Sequence, residues 1–246
     1  MFTKFSNKYA LITGASTGIG RETAIELSKK GYELGLIGRN LEKLEETKKL
    51  IGGGSDTDIF VADLADLNSV KKSADTILKN NKKIDLIANI AGIWHGKDEV
   101  FAGVDYEKFD DSTIINTMNV GIMAPMLLVK NLLNLMNPES IIVNLSGTFE
   151  NGGKGWLPYF VSKRAIEDFT VGLADELKEK EIMVVGVSPS DTATESYKKF
   201  FLEFIDDSQD PKDIAKFIAN LNYDIKESGK IFVMKKDQRV FESFHY

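Results

Sequence analysis

The chain contains no cysteine. That excludes a disulfide framework, a thiolate nucleophile and a cysteine metal site, and it fits a reducing compartment, the cytoplasm being the expectation. Histidine is nearly as scarce: His95 and His245 are the only two. A histidine metal site and a Ser-His-Asp triad are therefore not credible. His95 follows Trp94 in a loop and is expected to face solvent. No apolar stretch approaches the roughly 18 residues that span a bilayer, and Met-Phe-Thr-Lys-Phe-Ser-Asn-Lys at the start has no apolar signal core. No membrane partner is expected. The net charge of −6 argues against sequence-independent nucleic-acid binding, which needs pooled Lys and Arg. Lysine alternates with glutamate instead, as in Leu41-Glu-Lys-Leu-Glu-Glu-Thr-Lys-Lys, which reads as a solvated helix face. There is no Pro/Ser-rich linker, composition break or repeat, so 1–246 reads as one domain.

What is present is an alternation of short apolar runs with amphipathic stretches, the pattern of βαβ units around a parallel sheet. Strand-like runs lie at 9–13, 33–38, 58–62, 84–90, 140–145, 183–188 and 230–233. Helical patterns lie at 20–30, 41–50, 67–80, 113–136, 159–180 and 211–221. Ile141-Ile-Val and Ile84-Asp-Leu-Ile-Ala read as strands buried on both faces. Gly52-Gly-Gly-Ser is a short flexible connection. The expectation is an α/β doubly wound parallel sheet, in which ligands bind beyond the carboxyl ends of the strands.

The first strand ends in Thr13-Gly14-Ala15-Ser16-Thr17-Gly18-Ile19-Gly20, followed directly by a helix. Such glycines permit a tight turn and close approach of a ligand to backbone, and the helix N-terminus offers free N–H groups to a phosphate. Tyr159 and Lys163 stand one helical turn apart, on one face. A free tyrosine titrates near pH 10; a neighbouring cation would lower that value and make the phenol a usable acid or base. Ser146 lies 13 residues before Tyr159.

The glycine spacing, Asn89-Ile90-Ala91-Gly92 after the fourth strand, and Ser146 with Tyr159 and Lys163 together resemble the short-chain dehydrogenase/reductase family from about Lys8 to Val233. The resemblance implies a Rossmann-type sheet of about seven strands, a nicotinamide dinucleotide cofactor, and hydride transfer at a carbon bearing oxygen. It implies that Ser16, Thr17 and Ile19 join the glycines around the dinucleotide, and that Asp63, with Leu64, meets the adenine. An Asp after a strand is by itself more often a helix cap. Asn89, Ala91 and Gly92 match the segment that lines the cofactor and supports the sheet, with Ile90 where many relatives carry a second Asn. Asn119 resembles the asparagine that helps hold a water beside the lysine, with Asn116 as competitor. Ser146 resembles the serine that binds the substrate oxygen, Gly147 taking the place of a frequent second serine. Pro189-Ser-Asp-Thr192-Ala-Thr194 resembles the turn over the nicotinamide, Ser190 replacing a glycine and so requiring an ordinary backbone.

At the end of the second strand Gly38 stands where an acid would bind the ribose of NAD, and Arg39 follows, suited to the 2′-phosphate of NADP. NADP(H) is the expected cofactor. The resemblance implies reduction of a carbonyl, with Tyr159 as proton donor, Lys163 lowering its pKa and bonding the nicotinamide ribose, and Ser146 holding the carbonyl. A 3-oxoacyl-carrier-protein reductase and a non-catalytic NADP-binding regulator are the alternatives. Trp94, Phe149, Trp156 and Leu157 flank the expected site, as does 195–206 with Tyr197, Phe200, Phe201 and Phe204. A homodimer or homotetramer through helices 113–136 and 159–180 is expected. The tail from Met234 lacks the family's frequent Asp-Gly-Gly ending, so a tetramer resting on it is not expected.

Overall fold

Tyr-Ala-Leu-Ile-Thr, buried at every residue, forms the first strand, β1 (Tyr9–Thr13), at the centre of the sheet. The computed structural model describes residues 8–53 and 55–246. The expectation for the N-terminal segment, and part of that for the Gly52–Ser55 connection, lie outside the described residues. After β1 come α1 (Gly18–Lys29), β2 (Glu33–Gly38), α2 (Leu41–Ile51), β3 (Thr57–Val61), α3 (Leu67–Asn80) and β4 (Ile84–Asn89). The second half runs through α4 (Asp111–Met118), α5 (Ala124–Leu132), β5 (Met136–Leu145), α6 (Leu157–Leu177), β6 (Met183–Pro189), α7 (Glu195–Phe200), α8 (Pro211–Ala219), β7 (Ile231–Met234) and β8 (Phe241–Glu242).

The strand order is β3-β2-β1-β4-β5-β6-β7-β8. All neighbours are parallel except β8, which runs antiparallel to β7 through Phe232↔Glu242 and Val233↔Phe241. This eighth, two-residue strand is the addition to the seven expected; Asp237, at φ 56°, sits in the turn before it. The chain reverses direction across the sheet between β1 and β4, and the ends of those strands form the crevice where α/β sheets bind ligands.

Alternation along each strand divides the core into two layers. Tyr9, Leu11, Ile142 and Val184 pack with Val70, Leu128 and Leu177 on one face. Ala10, Ile12, Val143 and Val185 pack with Ala24, Leu44 and Ile218 on the other. Polar caps start the helices at the crevice: Asn40 Oδ1 accepts from Lys43 N, Asp66 Oδ1 from Asn68 N and Thr194 Oγ1 from Tyr197 N. These bonds satisfy amides that have no partner within the helix.

The helix expected at 113–136 is α4 and α5 joined by a wider turn, Asn119–Met123, in which Ala124 N–H reaches back to Asn119 O. The whole segment, Asp111–Leu135, is long and apolar enough to cross a membrane by length and composition. The sequence offered no such stretch because Asn116, Asn119 and Lys130 break its apolar runs. Its Val120, Ala124, Leu128 and Leu132 belong to one of the two core layers. β5 begins at Met136, earlier than expected, because Met136 pairs with Ile84 before the register shifts toward Leu86.

Candidate active site

The turn between β1 and α1 is shaped by glycine. Gly14 takes φ 69°, and a Cβ there would lie 3.0 Å from Ala91 Cα; a Cβ on Gly20 would overlap the Gly14 carbonyl oxygen. Only glycine meets both demands. Arg21, which the sequence reading missed, clamps the turn. It donates to Ser16 O at 2.6 Å and pairs with Glu195 at 2.9 Å and Glu46 at 3.3 Å. Thr13 Oγ1 accepts from Ile90 N and Ala91 N at 2.9 and 3.2 Å and so ties the Asn89–Gly92 segment to β1.

A cavity of about 530 Å³ opens over this turn. Gly14, Ser16, Thr17, Gly18, Ile19, Gly20, Arg39, Asp63, Leu64, Ala91, Gly92, Tyr159, Lys163 and Thr194 all line it, as expected. Asp63 is not the cap of α3, a role that falls to Asp66; its Oδ1 takes the Ala65 amide at 3.0 Å. Arg39 makes no ion pair among the described residues, and Lys43 lines the same end of the cavity. With two free cations at one end and a cradle that a Cβ would fill at the other, the residues present fit a phosphorylated dinucleotide. Asn89 stands behind this wall, 3% exposed, with its amide donating to Asn144 Oδ1 at 2.8 Å. Its part is support of the sheet rather than lining.

A second cavity, about 520 Å³, lies beside the first. Ile19, Trp94, Leu145, Tyr159 and Thr194 line both, so Tyr159 stands in the shared wall. Pro189 and Thr192, expected over the cofactor, line the second cavity instead, because the turn after β6 opens toward α7. Ser190 avoids positive φ, as a residue in a glycine's place must. Trp94, Phe149, Trp156, Tyr197 and Phe201 complete its wall, whereas Leu157 and Phe204 are exposed. His95 is half-buried rather than in solvent: its ring meets Trp94 and Phe200 at 4.5 and 5.3 Å, and Nδ1 lies 2.6 Å from Gly96 O.

The side chains expected to form the catalytic group have these surroundings. Lys163 does not bring the Tyr159 phenol down. Burial, with Asp191 adding to it, holds the phenol well above its usual range. Burial lowers Lys163 itself to about 8, and its Nζ donates to Leu145 O at 2.7 Å, lying 5.4 Å from the centre of the Tyr159 ring. Ser146 lines the second cavity beside Tyr159, and its hydroxyl already has partners within the protein. Its Oγ lies 2.5 Å from Glu167 Oε1 and 3.1 Å from Lys163 O, and a hydroxyl has one proton to give. The next residue, Gly147, has no side chain, while the Thr148 hydroxyl lines the second cavity without a partner among the described residues. Asn119 donates its amide to Ala65 O at 2.8 Å.

Glu167 is the residue that sequence reasoning had no signal for. It is buried, and besides Ser146 it accepts from His245 N at 2.7 Å. Its neighbour Arg164 donates to Tyr246 O at 2.6 Å, and Phe149 N donates to the same oxygen at 3.1 Å. The segment after β8 is thereby fastened behind the second cavity.

A parallel sheet that reverses at β1/β4, with a glycine cradle at its ligand-binding edge, defines a Rossmann-type dinucleotide-binding protein. The Tyr159–Lys163 pair beside that cradle makes it an oxidoreductase of one particular kind. The chain belongs to the short chain dehydrogenase family, whose model matches residues 8–203. It is 31% identical over 188 residues, 75% of each chain, to an NADPH-dependent pterin aldehyde reductase of Arabidopsis thaliana. It is 30% identical over 202 residues, 78% of this chain and 74% of the relative, to an NADP-dependent 3-hydroxy acid dehydrogenase of Schizosaccharomyces pombe. In fold it resembles the L-sorbose reductase of Gluconobacter frateurii, solved with NADPH and L-sorbose, at TM-score 0.80, 21% identity and coverage of 94% of this chain and 95% of the other.

Proposed function

We propose that the protein is an NADP(H)-dependent carbonyl reductase in which Tyr159 is the general acid. The observation that carries this reading is the position of Tyr159 in the wall between two cavities, one turn from the buried Lys163. The glycine turn, Asp63 and the Ala91–Gly92 segment would hold the dinucleotide, with Arg39 and Lys43 taking the 2′-phosphate. Both curated relatives named above are NADP enzymes by description, which agrees with Arg39. When bound, the nicotinamide supplies the hydride.

A phenol is protonated at neutral pH, the state that reduction requires, and burial pushes Tyr159 further in that direction. Tyr159 meets the carbonyl oxygen and gives it a proton as negative charge develops there. Lys163, near pH 8 in its titration, is a cation that can return a proton to the phenolate. Groups of this kind contribute roughly 10²–10⁴ in rate. Ser146 acts at one remove by holding Glu167. The non-catalytic regulator has less support, since Tyr159 and Lys163 line the cofactor cavity together and Tyr159 also faces the second cavity. Met123, Met126, Val161 and Val171 leave apolar surface exposed on the α4–α5 helix and α6, which supports a homo-oligomer through those helices.

The test is Tyr159→Phe, assayed with NADPH across ketones, aldehydes and 3-oxoacyl thioesters. Turnover should fall at least 100-fold while NADPH affinity, read by its fluorescence, stays within threefold. Activity within tenfold of the parent would overturn the assignment.

A further inference from the structure

We propose that the second cavity takes planar aromatic carbonyl compounds that are neutral or cationic, and excludes anionic ones. This names the substrate class of the site in the preceding section and rests on that reading.

The first observation is the aromatic wall. Trp94, Trp156 and Phe201 have ring centres 6.0–6.4 Å from one another, so they touch and close ranks as one surface. Tyr159 is 6.4 Å from Trp156 and 5.9 Å from Phe149, which continues the surface to the reacting phenol. Such a wall gains most from a flat π-system lying against it.

The second observation is charge. No Lys, Arg or His lines this cavity among the described residues, whereas Glu150 and Asp191 do. Glu150 is paired with Lys235 at 2.6 Å. Asp191 has no ion pair among the described residues; its carboxylate accepts from the Tyr197 hydroxyl, and its negative field reaches Tyr159. The neighbouring cofactor cavity differs in having cations: Arg39, Lys43, Lys163 and Lys199 line it together with Asp63 and Glu195. An anion entering the second cavity would lose water, gain no cation and face Asp191. A cation would meet both a carboxylate and aromatic faces.

The chain's only two tryptophans are both in this wall, so intrinsic fluorescence reports on it directly. Benzyltrimethylammonium and benzoate, neither reducible, are titrated against the protein saturated with NADPH, whose reduced nicotinamide ring is uncharged. The cation should quench at concentrations at least tenfold below those of the anion. In turnover with NADPH, 4-(trimethylammonio)benzaldehyde should exceed 4-formylbenzoate at least tenfold in kcat/KM. Asp191→Asn should shrink that ratio at least fivefold, a comparison in which the intrinsic reactivity of each aldehyde cancels. Trp156→Phe should remove a large part of the quenching, confirming where the ligand sits. Equal quenching by both ions, or an unchanged ratio in Asp191→Asn, overturns the proposal. If aldehydes are reduced without the charge order, this inference alone fails. If the ions bind in the stated order but no carbonyl is reduced, the catalytic reading fails and takes the substrate class with it, leaving only the charge preference of the cavity.

Discussion

The Ser146 hydroxyl donates to the Glu167 carboxylate across 2.5 Å, with both residues buried. One proton cannot also serve a substrate carbonyl, so Ser146→Ala should keep kcat within about tenfold of the parent. The cost should appear in stability, because Glu167 loses a donor in a buried site, an effect of about 1–3 kcal/mol. Thr148→Val should reduce kcat/KM more than Ser146→Ala does. Paired melts and steady-state kinetics decide; a loss above 100-fold in Ser146→Ala with an unchanged melting temperature would restore Ser146 to the substrate.

Arg39 is the cofactor prediction. A charge-assisted bond to a phosphate is worth about 1.5–3 kcal/mol, or roughly 10–100-fold. Arg39→Ala should raise the KM for NADPH by that factor and leave the KM for NADH nearly unchanged. Equal changes for both cofactors would show that Arg39 does not read the 2′-phosphate.

Lys163 gives a pH signature. Its folded value of about 8 lies below the ordinary 10.5, so between those values the unfolded chain binds more protons and stability rises with pH. Tyr159 is raised, so above its ordinary value of 10.0 the unfolded chain loses a proton that the folded one keeps, and stability falls. The protein should therefore gain stability from about pH 8 toward pH 10, and Lys163→Met should lack that gain. Urea unfolding at half-unit pH steps measures it.

Arg164 holds the chain's last segment through Tyr246 O. In Arg164→Met the His245 amide, now bonded to Glu167, should exchange hydrogen markedly faster. The substrate KM should rise several-fold, since Phe149 N shares the same oxygen and Phe149 lines the second cavity. Unchanged exchange at His245 would mean that Glu167 alone anchors the segment.

The βαβ rhythm, the glycine turn and the Tyr159/Lys163 spacing were legible because each is local. Strand burial, a tight turn and a helical period are written in neighbouring residues. The other cradle residues followed from the family resemblance. His95 was misread because its partner Phe200 lies far along the chain, and the contact of Ser146 with Glu167 was not legible because it joins two separate elements. The β8 strand escaped notice because two residues carry too little pattern to mark a strand.

The sequence alone therefore showed the glycine turn and the Tyr159/Lys163 pair, since spacing within one element carries each, and the family resemblance added the other expected cradle residues. Only the tertiary structure decided that burial raises the Tyr159 phenol, that the Ser146 hydroxyl meets Glu167, and that the second cavity is aromatic with no cation among the described residues. Desolvation, the direction of a single proton and the sign of a cavity's charge arise from side chains brought together from distant segments. No local pattern encodes them.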